Sequence, residues 1–254
     1  MDFHVLNGDA LTDRFLALRL EGKVIVTREA FISGSLEGIT LGELYKTRAN
    51  YLIGPSASDL QQYYAFTVAE FDKICTAKEG DRFFLWFGYD LFCFINMLFI
   101  ISRISSLNIP IEIKIVYPSF LSEEKAWDDF GRAGVDKLRY SLDHSIKLSE
   151  EDQVLAGKLW TALRETNFEL IDELSRRQST AFPYLRVVCK AHLDRFPGHG
   201  RLGKPEKIIN EIIRNGKKDF SSLFVDFQKS EGVYGFGDVQ VKEIYDRVIG
   251  DHKK

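Results

Sequence analysis

Cysteine is scarce in this chain of 254 residues: there are three, Cys75, Cys93 and Cys189, far apart and with no CxxC spacing. An odd, scattered set argues against a disulfide framework and against a structural zinc site. Free thiols suit a reducing compartment, so a cytoplasmic location is expected. Net charge is also small, at −3. That excludes a protein coated with cations for nucleic acid, though not a local basic face. Met1-Asp2-Phe3-His4 opens on a strand pattern rather than a charged start and an apolar run, so no secretory signal is expected. The longest apolar run, Leu91 to Ile104, contains Asn96 and Arg103 and falls short of the about 20 residues a bilayer requires. It predicts a buried core helix, and no membrane partner.

Familiar chemical fingerprints are missing as well. Asn7-Gly8-Asp9 is not a GxGxxG turn, and the patterns GxxxxGK[ST], GxSxG and HExxH do not occur. No internal repeat or low-complexity tract is present. The pattern names no catalytic residue, cofactor, metal-ligand set or oligomeric state.

What is there is an ordinary globular composition, 45% hydrophobic and 28% charged, with 20 phenylalanines that fit core packing. The length suits one large domain or two modest ones. Phe3–Leu6 reads as a strand, followed by a helix over Ala10–Leu20 and a second strand over Lys23–Thr27. Helices are expected over Thr40–Leu52 and Ser58–Thr76, the latter capped by Ser58 with Gln61. Arg82–Phe87 is a third strand, the apolar helix follows, and Ile109–Val116 is a fourth strand stopped by Pro118. Strands alternating with helices, with little polar alternation in the first and third, predict a mainly parallel sheet covered on both faces.

Beyond residue 119 strand signals largely vanish. Ser149 caps a helix with Val154, Leu155, Leu159 and Leu163 on its apolar face, and Asn167–Arg177 and Phe182–Arg195 continue the helical pattern. Phe196-Pro197-Gly198-His199-Gly200 breaks it. Three short helices, Lys204–Arg214, Asp219–Lys229 and Asp238–Val248, then have the rhythm of a helix-turn-helix. The predicted fold class is α/β: residues 1–118 a small, four-stranded, mainly parallel sheet domain, residues 119–254 a helical half, with 197–254 a helix-turn-helix-like bundle.

In a parallel sheet the strand ends share one edge, where ligands usually bind. That edge would gather Asn7, Gly8, Asp9, Arg28, Glu29 and Asp90, with Asn96 one helix away. Grouped carboxylates can hold a cation, grip ribose hydroxyls or share a proton. Arg28 can clamp a phosphate or carboxylate, and Gly8 and Gly88 let a ligand approach the backbone. The plainer reading is that Asp9 and Asp90 are helix caps, and that Arg28 and Glu29 point to opposite sides. Asn96 either braces the strand-end loops or faces a ligand. Cys93 reads as an inert buried thiol, and His192 and His199 as exposed or capping. The charge runs Arg176-Arg177 and Lys217-Lys218 read as solvated faces.

Several segments resemble a known family. Leu6-Asn7-Gly8-Asp9-Ala10-Leu11, Val26-Thr27-Arg28-Glu29-Ala30 and Leu85 to Cys93 are similar to the N-terminal signatures of the bacterial domain-of-unknown-function 1835 family. Phe182-Pro183, Phe196-Pro197, Leu202 to Glu206 and Tyr234-Gly235-Phe236-Gly237-Asp238 resemble its C-terminal region. Phe94 departs from the family's glutamine after the cysteine. The resemblance implies a two-part architecture and a bacterial origin, but no activity.

The function expected from these readings is binding of a small anionic or nucleotide-like ligand at the strand-end crevice. The alternatives are a ligand-sensing regulator or protein-interaction module using the C-terminal bundle, and a scaffolding role. Nucleic acid is not the expected partner: from Arg201 onward there are eleven basic and nine acidic residues, and the last helix mixes Lys242 and Arg247 with Asp238, Glu243 and Asp246.

Overall fold

The computed structural model describes residues 1–131, 133–198, 201–216 and 219–251. His199, Gly200, Lys217 and Lys218, named above, lie outside them. Strands β1 (Asp2–Leu6), β2 (Lys23–Val26), β3 (Arg82–Trp86), β4 (Glu112–Val116) and β5 (Ile146–Lys147) form one sheet in the order β2-β1-β3-β4-β5. The first four are mutually parallel and β5 is antiparallel to β4. The helices are α1 (Thr12–Leu16), α2 (Leu41–Leu52), α3 (Ala57–Tyr63), α4 (Ala69–Asp72), α5 (Leu91–Ser105), α6 (Val135–Asp143), α7 (Glu150–Arg164), α8 (Phe168–Leu174), α9 (Leu185–Asp194), α10 (Lys204–Arg214), α11 (Phe220–Glu231) and α12 (Asp238–Asp251).

The mixed α/β class is therefore as expected, with one strand more than the predicted four. β5 was invisible in the sequence because two residues give no periodicity; Ile146 and Lys147 pair with Ile115 and Lys114. Successive strand residues point to opposite faces, and both faces are buried. Phe3, Val5, Ile25, Leu85 and Ile115 meet α5 and the helical half in the larger cluster. Leu6, Phe84, Trp86 and Val116 meet Phe15, Leu18, Phe130 and Leu138 in the smaller one. This two-sided burial is why the strands lack polar alternation.

α5 is the axis of the larger layer. Asp90 caps it, accepting from the Cys93 amide at 2.9 Å, and nearly every side chain it carries is buried. Phe99 packs against Phe31 and Trp160, with ring centroids 4.5 and 5.3 Å away. The apolar cluster runs from Phe3 to Val248, so the core continues across residue 118 and across the break near Pro197. No helix among the described residues is long and apolar enough to cross a membrane.

Some local expectations need correction. The helix predicted over Ala10–Leu20 shrinks to a 3-10 turn and α1, ended where Arg19 turns left-handed (φ 53°) ahead of β2. Ser56, not Ser58, caps α3, in a reciprocal box with Asp59. The continuous helix expected to Thr76 is interrupted by a π turn at Tyr64–Val68. Val154 faces outward rather than into the core, and His192 is buried, its pKa pushed down to about 3 by that burial.

Candidate functional site

The strand order places a topological switch point between β1 and β3, whose connections leave in opposite directions. The residues expected at this edge sort into three arrangements, the second and third touching through Asn7 and Cys93.

Asp9 and Arg28 form a surface pair. Arg28 Nε and Nη2 donate to the Asp9 carboxylate at 2.9 and 2.8 Å, and Nη1 donates to the Phe66 carbonyl at 2.8 Å. The Arg28 hydrogen bond holds the Asp9 carboxyl below its ordinary pKa. With these partners Arg28 is already engaged, although the Asp9 side chain is 61% exposed.

Glu29 turns inward. It meets Arg48, with both side chains wholly buried and Nη2 to Oε2 at 2.9 Å. Tyr63 donates its hydroxyl to Glu29 Oε1 at 2.5 Å. Arg48 also donates to the carbonyls of Ser33 and Ala30, at 2.6 and 2.9 Å. Asn96 takes the bracing role: it donates to the Glu29 carbonyl at 2.7 Å and to Asn7 Oδ1 at 2.9 Å, and accepts from the Phe31 amide at 3.1 Å. Asn7 in turn points its amide at Cys93 Sγ, 3.0 Å away. This network ties the ends of β1 and β2 to α5. Arg48 was missed in the sequence, yet it sits at helical spacing with Leu41, Leu44, Tyr45 and Leu52, a cation on an apolar face that needs a buried anion.

Asp90 belongs to the third arrangement. A β-carbon placed on Gly88 would lie 2.8 Å from Asp90 Oδ2, 3.0 Å from Asp129 Oδ1 and 3.1 Å from Cys93 Sγ, so these groups converge on the space that Gly88 leaves. Asp129 Oδ1 is cut off from solvent and has no hydrogen-bond partner among the described residues. Its backbone, at φ 54° and ψ −162°, lies in a region that is essentially reserved for glycine. Burial, and then the neighbouring Asp90 charge, push the Asp129 pKa up to about 6. Burial also raises Asp90. The Cys93 thiol is raised well above its ordinary value by burial and by both carboxylates, so it is a protonated thiol and not a nucleophile. No sequence signal pointed to Asp129, which reaches the site from a loop beyond β4.

The site has a lid from the far end of the chain. Gly235, in a left-handed turn (φ 61°), lies so close to Asp90 that a β-carbon there would collide with Asp90 Oδ1. Gly8, by contrast, faces open space, and its backbone (φ 88°, ψ 172°) is one that only glycine adopts readily. Among the described residues no group of three or more His, Cys, Asp or Glu is arranged to hold a metal ion.

No family model, no curated protein and no solved structure matches this chain.

Proposed function

We propose that this protein binds a small nucleotide-like or other hydroxyl-bearing anionic ligand at the switch point between β1 and β3. The observation that carries the reading is the strained Asp129 carboxyl, whose buried Oδ1 has no hydrogen-bond partner among the described residues and converges with Asp90 on the space at Gly88. A buried acceptor without a donor is costly, and strain in such a place is kept where it serves a ligand or a reaction. Two carboxyls that line one space, both with raised pKa, can together accept from and donate to a hydroxyl pair when one of them is protonated. A pKa near 6 also suits general acid–base work, so an enzymatic role for the same pair is the natural extension. Gly8 leaves the backbone open to the ligand, and the Gly235 turn must shift to admit it.

A scaffolding role would leave every strand-end carboxylate satisfied. Asp9, Glu29 and Asp90 fit that description, whereas Asp129 does not. The regulator reading has less support. Lys242 pairs with Asp246 at 2.5 Å and Arg247 with Glu206 at 3.1 Å, which removes unopposed cations from α12. A helix-turn-helix role for α10, α11 and α12 therefore stands behind packing against the core. Membership of the domain-of-unknown-function 1835 family is proposed on the same footing. What supports it is that segments quoted for the resemblance, around Gly8, Gly88, Cys93 and Gly235, meet in space.

The test is a melting-temperature screen of nucleotides, sugar phosphates and divalent cations. A ligand that binds only the folded state stabilises it by RT ln(1 + [L]/Kd). At least one compound is expected to stabilise the native protein in a saturable manner and to lose that effect in Asp129→Asn. Failure of every compound, or an unchanged effect in Asp129→Asn, would overturn the proposal.

A further inference from the structure

The carboxyl pair and the Cys93 thiol beside Gly88 are sealed: Asp90 and Cys93 are buried, and Asp129 Oδ1 has no open surface. A ligand reaches them only when one wall of the site moves, and the walls differ in how they are fastened. Asp90 is held by the Cys93 amide at the start of α5. Asn7 is bound to Asn96 and Cys93. The Asp129 loop is anchored by Phe130 in the smaller core cluster and by Arg14, which donates to the Gly131 carbonyl. The fourth wall, Gly232 to Gly237 between α11 and α12, rests on the others by packing. Among the described residues its hydrogen bonds stay within the turn and its own two helices. The Gly235 amide donates to the Gly232 carbonyl at 3.0 Å, Gln228 donates to the Phe236 carbonyl, and the Gly237 amide donates to Gln240 Oε1 at 3.0 Å. Glycine lets this wall come close at two points: a β-carbon on Gly232 would lie 3.0 Å from Trp127 Cβ, and one on Gly235 would strike Asp90.

The helices that carry this turn are tied to one another. Lys204 of α10 pairs with Glu231 of α11 at 2.9 Å, and Glu206 of α10 with Arg247 of α12 at 3.1 Å, so α10 pins both of its neighbours. The ties from this body to the rest of the chain are looser. The Tyr51 hydroxyl reaches Glu243 only at 3.4 Å, and the Phe236 ring lies 5.4 Å from the Arg195 guanidinium. A cavity of about 280 Å³ separates Ser33, Tyr51 and Arg195 on one side from Phe236, Glu243 and Ile244 on the other. Protein interiors are otherwise close-packed, so a void at this boundary leaves the body room to rock.

We propose that α10, α11 and α12 move as one gate, which lifts the Gly235 turn from Asp90 and opens the site between β1 and β3 while the rest of the chain stays folded. The purpose of the gate rests on the ligand reading above; its motion does not. Thiol labelling of the full chain in a Cys75→Ser background tests it, because Cys75 is exposed whereas Cys93 and Cys189 are buried. Cys93 lies at the gated space, and Cys189 lies on α9 near Arg186 and Asp172, where it reports wider unfolding. Cys93 labels at least about tenfold faster than Cys189, at a rate nearly flat in dilute urea, while the Cys189 rate climbs with the global slope. Gly235→Ala raises the Cys93 rate by about tenfold. Phe236→Leu, which removes the ring on Arg195, raises it by about fivefold. Equal rates and equal urea dependence for the two thiols would overturn the gate, and so would a Cys93 rate that neither substitution moves. If neither variant folds, hydrogen exchange of the native protein decides: the Gly235 amide opens with the same constant as Cys93, and a smaller constant for Gly235 would overturn the gate. A ligand that binds while Cys93 stays as protected as Cys189 would sink the gate alone. A gate that opens although no compound binds would uphold it and sink the ligand reading alone.

Discussion

Arg48 and Glu29 face each other in the core with no exposed side-chain surface, joined at 2.9 Å and completed by the Tyr63 hydroxyl. Removing one member strands a buried charge. Arg48→Ala is expected to cost about 3–5 kcal/mol, and Arg48→Met combined with Glu29→Gln to cost less than either single change. Urea unfolding of Arg48→Ala, Arg48→Met, Glu29→Gln and the double variant measures this, and additive losses in the double variant would show that the two residues do not act as a pair.

Asp129 keeps its proton in the folded chain up to about pH 6 but releases it near 3.8 when unfolded. Between those values the folded state binds more protons, so this residue's stabilising contribution is full at lower pH and is lost as pH rises through about 6. The effect is on the order of 3 kcal/mol. It is read as the difference between native protein and Asp129→Asn, because carboxyls with lowered pKa, such as Asp9 and Asp172, titrate in the opposite sense at lower pH. Parallel stability curves for the two proteins between pH 4 and 7 would contradict the raised pKa.

Phe99 lies beneath Phe31 and Trp160 at the centre of α5. Phe99→Ala should cost about 3–5 kcal/mol through lost burial and the cavity left behind. A loss under about 1 kcal/mol by chemical denaturation would mean that the site collapses freely or is not packed as described.

Gly235→Ala brings a β-carbon into Asp90 at a left-handed position, whereas Gly237→Ala meets only the Gln240 side chain at 3.3 Å. The first is expected to destabilise by at least about 1 kcal/mol and the second by less. Thermal melts of the two variants compare them directly, and equal losses would remove the close approach to Asp90.

The first four strands, the apolar α5 and the caps at Asp90 and Ser149 were legible because each rests on local pattern: β-branched runs, continuous apolarity, or a polar residue ahead of a helix. The site was only half legible. Asn7, Asp9, Arg28, Glu29 and Asp90 do stand at strand ends, but side-chain direction is decided by tertiary partners. Glu29 follows Arg48 into the core, and Asp9 stays at the surface with Arg28. Asp129 and Gly235 reach Asp90 from distant parts of the chain, and separation of that kind leaves no periodic trace. β5 was missed for the opposite reason, being too short to have a period.

β5 and α7 also set an order of events during synthesis. The sheet lacks its last strand until Lys147 has emerged, and Phe99 lacks the Trp160 ring until roughly 60 further residues have followed it. At about 5–20 residues per second that interval is roughly 3–12 seconds, during which the most apolar helix of the chain has one face uncovered. α5 is therefore the stretch that a ribosome-associated chaperone would meet, and slowing translation between α5 and α7 should raise aggregation more than slowing it after α9.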